Sequence, residues 1–306
     1  MSERDGQMIS LEDVTKCFGP RKAVDSLSLS VPRGNVYGLL GHNGAGKSTA
    51  IGMMLGQVWP TSGEVRVCGH SVGSHRAQAL QRVGAIFEAP AFYDYLTGWR
   101  NLEILSHYTS PTSAQRISEV VDWVGLTGRE HSKVRTYSHG MRARLALAQA
   151  LMPQPELLIL DEPGSGLDPE GIAEMRRTIL RLHRELGLTI LLSSHLLTEV
   201  EQLCTRIAVL NQGRKVYEGS VNEIKSARGR VALRTKDFAK AATLLQTHGL
   251  ITGAKEGSFI DLKDGVSTSD VTRVLVEGGV SVEGIWRQEQ TLEDFYLELV
   301  NGTGAN

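Results

Sequence analysis

Gly41-His42-Asn43-Gly44-Ala45-Gly46-Lys47-Ser48-Thr49 is the stretch on which the reading of this chain turns. It fits G-x-x-x-x-G-K-[ST], a loop whose backbone N–H groups wrap a phosphate while the following helix aims its positive N-terminus at the same charge. The flanks agree. Val36-Tyr37-Gly38-Leu39-Leu40 is a near-continuous apolar run that breaks directly into glycines, which reads as a buried strand feeding a tight turn. A helix is expected from Lys47 to about Gln57, with Pro60-Thr61-Ser62-Gly63 as punctuation. Within the loop, Lys47 is placed to bridge the β- and γ-phosphates of ATP, and the hydroxyl of Ser48 to ligate Mg²⁺.

Downstream, Leu157-Leu158-Ile159-Leu160 is a second buried strand, ending in Asp161-Glu162-Pro163. A carboxylate at the tip of a strand beside a phosphate loop suits Mg²⁺, the role read for Asp161, and Glu162 follows as general base or water-positioner. After a helix from about Glu170 to Leu186, Leu188-Thr189-Ile190-Leu191-Leu192 is a third strand, leading to Ser193-Ser194-His195. His195 ends a core strand and is read as contacting the γ-phosphate and orienting Glu162. Thr198 and Glu201 have capping-box spacing, which predicts a helix starting just after His195. Buried strands alternating with helices predict an α/β fold on a parallel sheet, with ligands at the carboxyl ends of its strands.

Period-two runs at Met8–Val14 and Ser26–Val31 predict half-buried strands near the start, and residues 95–125 read as mainly helical, most clearly from Thr112 to Val124. The character changes at Lys225–Gly229. Beyond it, strands near Val231 and Phe259 and helices at 237–248 and 268–277, followed by Gly284-Ile285-Trp286, suggest a small accessory α/β domain. In the last helix Leu292, Phe295, Tyr296 and Leu299 share one face, a packing or dimer surface.

The formal net charge of −1 over 306 residues gives no electrostatic reason to sit on nucleic acid. Cys17, Cys68 and Cys204 form no CxxC pair and read as buried filler thiols in a reducing compartment. The polar start has no apolar core behind it and does not read as a signal peptide. No run approaches the roughly 18 to 20 apolar residues that cross a bilayer. The expected location is therefore cytoplasmic, with any membrane role supplied by a partner.

These residues together resemble the ATP-binding subunits of ABC transporters, over roughly residues 8 to 220. The phosphate loop and Leu157–Glu162 match that family's two Walker motifs, and Tyr137-Ser138-His139-Gly140-Met141-Arg142 its signature segment. Gly166-Leu167-Asp168-Pro169 matches its D-loop and His195 its switch histidine, while Phe18 lies where the family places an aromatic that stacks on adenine. The resemblance implies a P-loop NTPase core at 1–225, with a parallel sheet, an antiparallel β subdomain and a helical subdomain at about 90–155, followed by a C-terminal α/β domain at 226–306. It implies a head-to-tail dimer in which Ser138, Gly140, Met141 and Asp168 of one copy complete the ATP site of the other. It also implies a separate transmembrane permease, at the cytoplasmic face of the membrane. Two departures stand out: His139 and Met141 alter the usual LSGGQ signature, and Glu88 replaces the glutamine that touches Mg²⁺, adding a charge near the lytic water. Glu88, Tyr93–Thr97, Asn101-Leu102 and the closing Thr291–Leu299 are similar to the bacitracin- and daunorubicin-resistance branch of drug exporters. An exporter motor is therefore the leading expectation. An importer motor shares the same parts, and a soluble ABC ATPase acting on ribosomes or DNA is disfavoured by the single motor, the lack of heptads and the balanced charge.

Overall fold

The computed structural model describes residues 6–87, 91–109, 112–227, 230–255, 258–263, 265–288 and 291–302. The chain opens with a long hairpin, β1 (Gln7–Phe18) and β2 (Arg21–Pro32), then β3 (Val36–Leu40), α1 (Lys47–Met54), β4 (Ser62–Val67), β5 (His70–Ser71), α2 (Arg76–Leu80) and β6 (Val83–Ile86). Three helices follow, α3 (Gly98–Thr109), α4 (Ala114–Trp123) and α5 (His139–Leu151). Next come β7 (Leu157–Asp161), α6 (Pro169–Leu186), β8 (Thr189–Ser194), α7 (Leu197–Leu203), β9 (Arg206–Asn211) and β10 (Arg214–Ser220). These complete a first compact unit that ends at Ser220; a second begins at Val221. The second holds α8 (Val221–Ala227), β11 (Arg230–Thr235), α9 (Phe238–Thr247), β12 (Ile251–Lys255), β13 (Phe259–Leu262), α10 (Thr268–Glu277), β14 (Val282–Gln288) and α11 (Leu292–Gly302).

The first unit is built on a six-stranded sheet of order β10-β9-β3-β8-β7-β6. All its pairings are parallel except that of β10 with β9. Every residue of β3 and β8 is buried, which is why these strands read as unbroken apolar runs rather than alternating ones. Register aligns their exits: Leu40 pairs with Ser194, and Asp161 with Ser193. The phosphate loop, Glu162 and His195 therefore leave the sheet at one end. A second, antiparallel sheet of order β2-β1-β4-β5 shares a core with it, in which Ile9, Leu27 and Val67 join Leu39, Ile159 and Leu191, all fully buried.

Helices α3, α4 and α5 form the helical part. Ser113 caps α4 by accepting from Arg116 N–H at 3.2 Å, and Asp168 caps α6, with Pro169 in its first turn and Gly187 in left-handed backbone at its end. Asn101, fully buried in α3, donates to the carbonyls of Tyr93 and Thr97 and accepts from Tyr93 N–H at 2.8 Å. It thereby pins the chain entering the helical part.

The second unit has a sheet of order β12-β13-β11-β14, antiparallel throughout, with chain order βαββαβ around it. This is the split βαβ arrangement. Val231, Leu233, Ile260, Ala241, Leu245, Val271 and Leu275 make its own core. Ser267 and Asp270 form a reciprocal capping box on α10, and Thr291 and Asp294 exchange the same bonds at the start of α11. Leu292 of the last helix is buried, and Phe295, Tyr296 and Leu299 are half-buried.

Several local expectations change. The helix after the phosphate loop stops at Met54, because Gly56 in left-handed backbone turns the chain. The helical stretch at 95–125 is two helices. The change of character at 225–229 falls just after the division at Ser220, and α8 fills 221–227. No capping box opens α7: Leu196 is its N-cap, without a side-chain bond, and Thr198 already lies inside. The Ser194 hydroxyl, accepting from Leu196 N–H at 3.0 Å, shapes that turn instead.

α7 packs on the sheet at Gly38. A Cβ there would lie 2.9 Å from Val200 Cγ1 and 3.0 Å from Cys204 Sγ. Gly38→Ala is expected to lower the unfolding free energy by about 1–3 kcal/mol through overpacking, read from urea denaturation.

Candidate functional site

Gly46 is the N-cap of α1, with φ 105°, and a Cβ on it would sit 2.6 Å from the carbonyl oxygen of Ala23. Only glycine fits, so the loop returns tightly enough to aim its N–H groups and the helix start at one point. His42, Asn43 and Gly44 form the exposed rim, while Gly41, Ala45, Gly46 and Lys47 are buried. Ser48 is exposed and Thr49 half-buried at the start of α1.

Lys47 is 5% exposed. An ammonium at that depth requires acceptors and a counter-charge. It donates to the carbonyls of Gly41 at 2.7 Å and His42 at 3.4 Å, and lies 3.5 Å from Glu162 Oε1. The other oxygen of Glu162 is 3.0 Å from Nδ1 of His195. An ionised carboxylate has no proton to give, so Nδ1 carries the hydrogen in this contact. Glu162 itself adopts φ 47°, a left-handed conformation that costs a non-glycine residue energy and is held by its surroundings.

What holds it is Ser193, fully buried at the end of β8. Its hydroxyl accepts from Glu162 N–H at 2.9 Å and donates to Oδ1 of Asp161. One side chain thus sets the backbone of Glu162 and the carboxylate of Asp161 together. Ser48, Asp161 and Glu162 line a common cavity of about 590 Å³ with Arg142 and Met175. Among the described residues no group of three or more His, Cys, Asp or Glu could hold a metal unaided.

The remaining expected residues lie elsewhere. Phe18, 52% exposed at the end of β1, carries the Lys16 ammonium 4.9 Å above its ring. Ser138 is the N-cap of α5 and accepts from Met141 N–H at 3.2 Å. Ser138, Gly140 and Asp168 line a second cavity of about 410 Å³, with Arg144 and Gly166. Met141 buries its side chain, being 9% exposed. His139 lines both cavities. Glu88 lies outside the described residues. The structure therefore gathers Lys47, Ser48, Asp161, Glu162 and His195 at one place and Ser138, Gly140 and Asp168 at another. Ser193 carries no signal in the sequence, since the role of a serine at a strand end depends on the neighbouring strand.

The ABC transporter family pattern matches residues 24–165. Along nearly its whole length the chain is similar to the bacitracin transport ATP-binding protein BcrA of Bacillus licheniformis: 37% identical over 304 residues, covering 96% of this chain and 98% of BcrA. The chain belongs to the ABC transporter ATP-binding proteins. It is also 35% identical to the daunorubicin resistance ATP-binding protein DrrA3 of Streptomyces coeruleorubidus, covering 95% of each chain. The dimeric bacterial ABC transporter cassette MJ0796 shares the fold, with a TM-score of 0.63 at 23% identity over 70% of this chain and 99% of that one. As an ABC ATP-binding subunit the protein binds and hydrolyses ATP and serves a transporter. Among the described residues no helix is long and apolar enough to cross a membrane.

Ser193→Ala leaves the Glu162 N–H and an Asp161 oxygen without their buried partner. We expect it to lower stability by about 1–3 kcal/mol, with ATPase turnover falling as well, checked by urea unfolding and phosphate release.

Proposed function

We propose that this chain is the ATP-hydrolysing motor of a membrane exporter for a drug, antibiotic or lipid-like substrate, working with a separate permease at the cytoplasmic face of the membrane. The observation that carries the catalytic part is the chain of contacts from Lys47 through Glu162 to His195, at 3.5 and 3.0 Å. The resistance roles in the names of BcrA and DrrA3 support export over import, and the balanced charge speaks against a nucleic-acid partner.

In this reading the phosphates of ATP displace Glu162 as the counter-charge of Lys47. The backbone of Gly41, His42, Asn43, Gly44, Ala45 and Gly46 wraps the phosphates, with Thr49 behind them, and Phe18 stacks on adenine. Freed from the lysine, Glu162 accepts a proton from the attacking water or orients it, while His195 holds the carboxylate through Nδ1–H and faces the γ-phosphate with the rest of the ring. Oxygen donors suit Mg²⁺, which favours one or two carboxylates plus substrate phosphates over an all-protein cage. Ser48 and Asp161 on one cavity fit that pattern, and Glu88 is a third proposed ligand. When bound, Mg²⁺ neutralises charge developing on the phosphates.

Ser138, Gly140 and Asp168, at a cavity of their own, support a head-to-tail dimer in which they complete the site of a second copy, with Met141 giving its N–H to the Ser138 cap. The N-terminus of α5 favours an anion there. ATP then closes the pair and hydrolysis opens it, driving the permease between two states.

Glu162→Gln is expected to bind ATP as wild type does while turnover drops by about 10²-fold or more, and to run as a dimer in light scattering with ATP present. Normal hydrolysis would remove Glu162 from the chemistry. Lys47→Ala is expected to weaken equilibrium ATP binding itself. Purification from detergent-solubilised membranes should recover a polypeptide with several membrane-spanning helices; recovery of ribosomes or DNA instead would overturn the exporter reading.

A further inference from the structure

Glu199, on α7, is 8% exposed, and its Oε1 is a buried atom with no hydrogen-bond partner. Its Oε2 accepts from Ser194 Oγ at 3.4 Å. The Ser194 hydroxyl oxygen accepts in turn from Leu196 N–H at 3.0 Å, so this carboxyl oxygen is linked through Ser194 to both residues flanking His195. The other reaches the turn after Glu162. A Cβ on Gly164 would lie 2.6 Å from Oε1 and 3.1 Å from Oε2, so the carboxyl occupies the space that any larger residue at 164 would need. That turn is tied back to the site, since Glu162 O accepts from Ser165 N–H at 3.0 Å.

The base from which Glu199 projects is firm. Val200 of the same helix and Cys204 just after its end press against Gly38 of β3, and Gln202 accepts from Arg176 of α6. Burial raises the carboxyl's pKa most strongly, while the Ser194 bond and the charges of His195 and Arg176 pull it down. A carboxyl buried with an orphan oxygen is costly, and stability alone gives no reason to keep it.

We propose that Glu199 is a positioning residue for ATP hydrolysis, wedged between the turn that carries His195 and the turn that follows Glu162 so that these two side chains stay in contact. This rests on the roles proposed above for Glu162 and His195. Glu199 touches neither nucleotide nor water; it acts through the two turns. Displacing either turn by a fraction of an ångström separates the His195–Glu162 pair while leaving the phosphate loop, on β3 and α1, as it was.

The test is a steady-state and binding comparison of Glu199→Ala, Glu199→Asp and Glu199→Gln. Glu199→Ala and the shortened Glu199→Asp are expected to lose about 10- to 100-fold in kcat with the Kd for ATP within about threefold of wild type. Glu199→Gln keeps length and an acceptor for Ser194, and is expected to restore kcat to within about threefold of wild type. In a Glu162→Gln background, Glu199→Ala is expected to cause no further loss, since the residue it positions is already disabled. The proposal fails if Glu199→Ala, shown folded by urea denaturation, turns over like wild type, or if binding and turnover fall together. Should Glu199→Ala not fold, Glu199→Asp and Gly164→Ala carry the same readout. A Glu162→Gln variant that still hydrolyses ATP would defeat the underlying reading. An inactive Glu162→Gln beside a fully active Glu199→Ala would defeat the wedge alone.

Discussion

A buried ammonium sets the terms for this molecule. Lys47 is 5% exposed, and at that depth a cation must find acceptors or lose its charge. The tight loop supplies two carbonyls, and β7 supplies Glu162 at 3.5 Å. Everything nearby follows from keeping that arrangement available to an anionic substrate. The loop closes on a glycine that alone fits beneath Ala23. The strand bearing Glu162 must lie one strand away from the strand bearing the loop, which the order β3-β8-β7 provides. The intervening strand, β8, then brings Ser193 and His195 into contact with both carboxylates.

The Lys47–Glu162 contact also has a functional sense. Lys47, proposed to grip the phosphates, and Glu162, proposed to act on the attacking water, pair with each other in this structure. A polyphosphate offers Lys47 a stronger partner than a single carboxylate, so substrate binding and release of Glu162 become one event. The left-handed backbone of Glu162, held by Ser193, keeps the freed carboxylate near His195 instead of letting it relax into solvent. Behind this, Glu199 and Gly164 brace the two turns from the inside of the fold.

Division of labour is equally visible at larger scale. The cavity at Ser138, Gly140 and Asp168 has capped helix N-termini on α5 and α6, yet neither Lys47 nor Asp161 lines it. Helix starts gathered apart from the loop that grips phosphate are in keeping with the proposed sharing of ATP between copies. The split βαβ unit from Val221 onward has its own core and capped helices, which suits a module carried with the motor.

Much of this was legible in the sequence because the strongest signals are local. The phosphate loop, the unbroken apolar runs at 36–40, 157–160 and 188–192, and the helix from about Glu170 depend on neighbours a few residues away, where glycine, proline and apolar periodicity act directly. The short strands β4, β5 and β6, the pair β9 and β10, and β12 carry no clear signal, because β4 and β6 pair with strands far along the chain and the others are too brief to show a period. The order of strands, and hence which side chains meet, was decided only in three dimensions. Ser193 and Glu199 are an ordinary serine and glutamate in sequence. Register against Asp161 makes the one a shared hydrogen-bond partner, and packing of α7 over Gly38 makes the other a buried wedge. The sequence by itself determined that this chain grips ATP; only the tertiary structure decided how Glu162 is held, since that depends on contacts between residues some thirty or more positions apart.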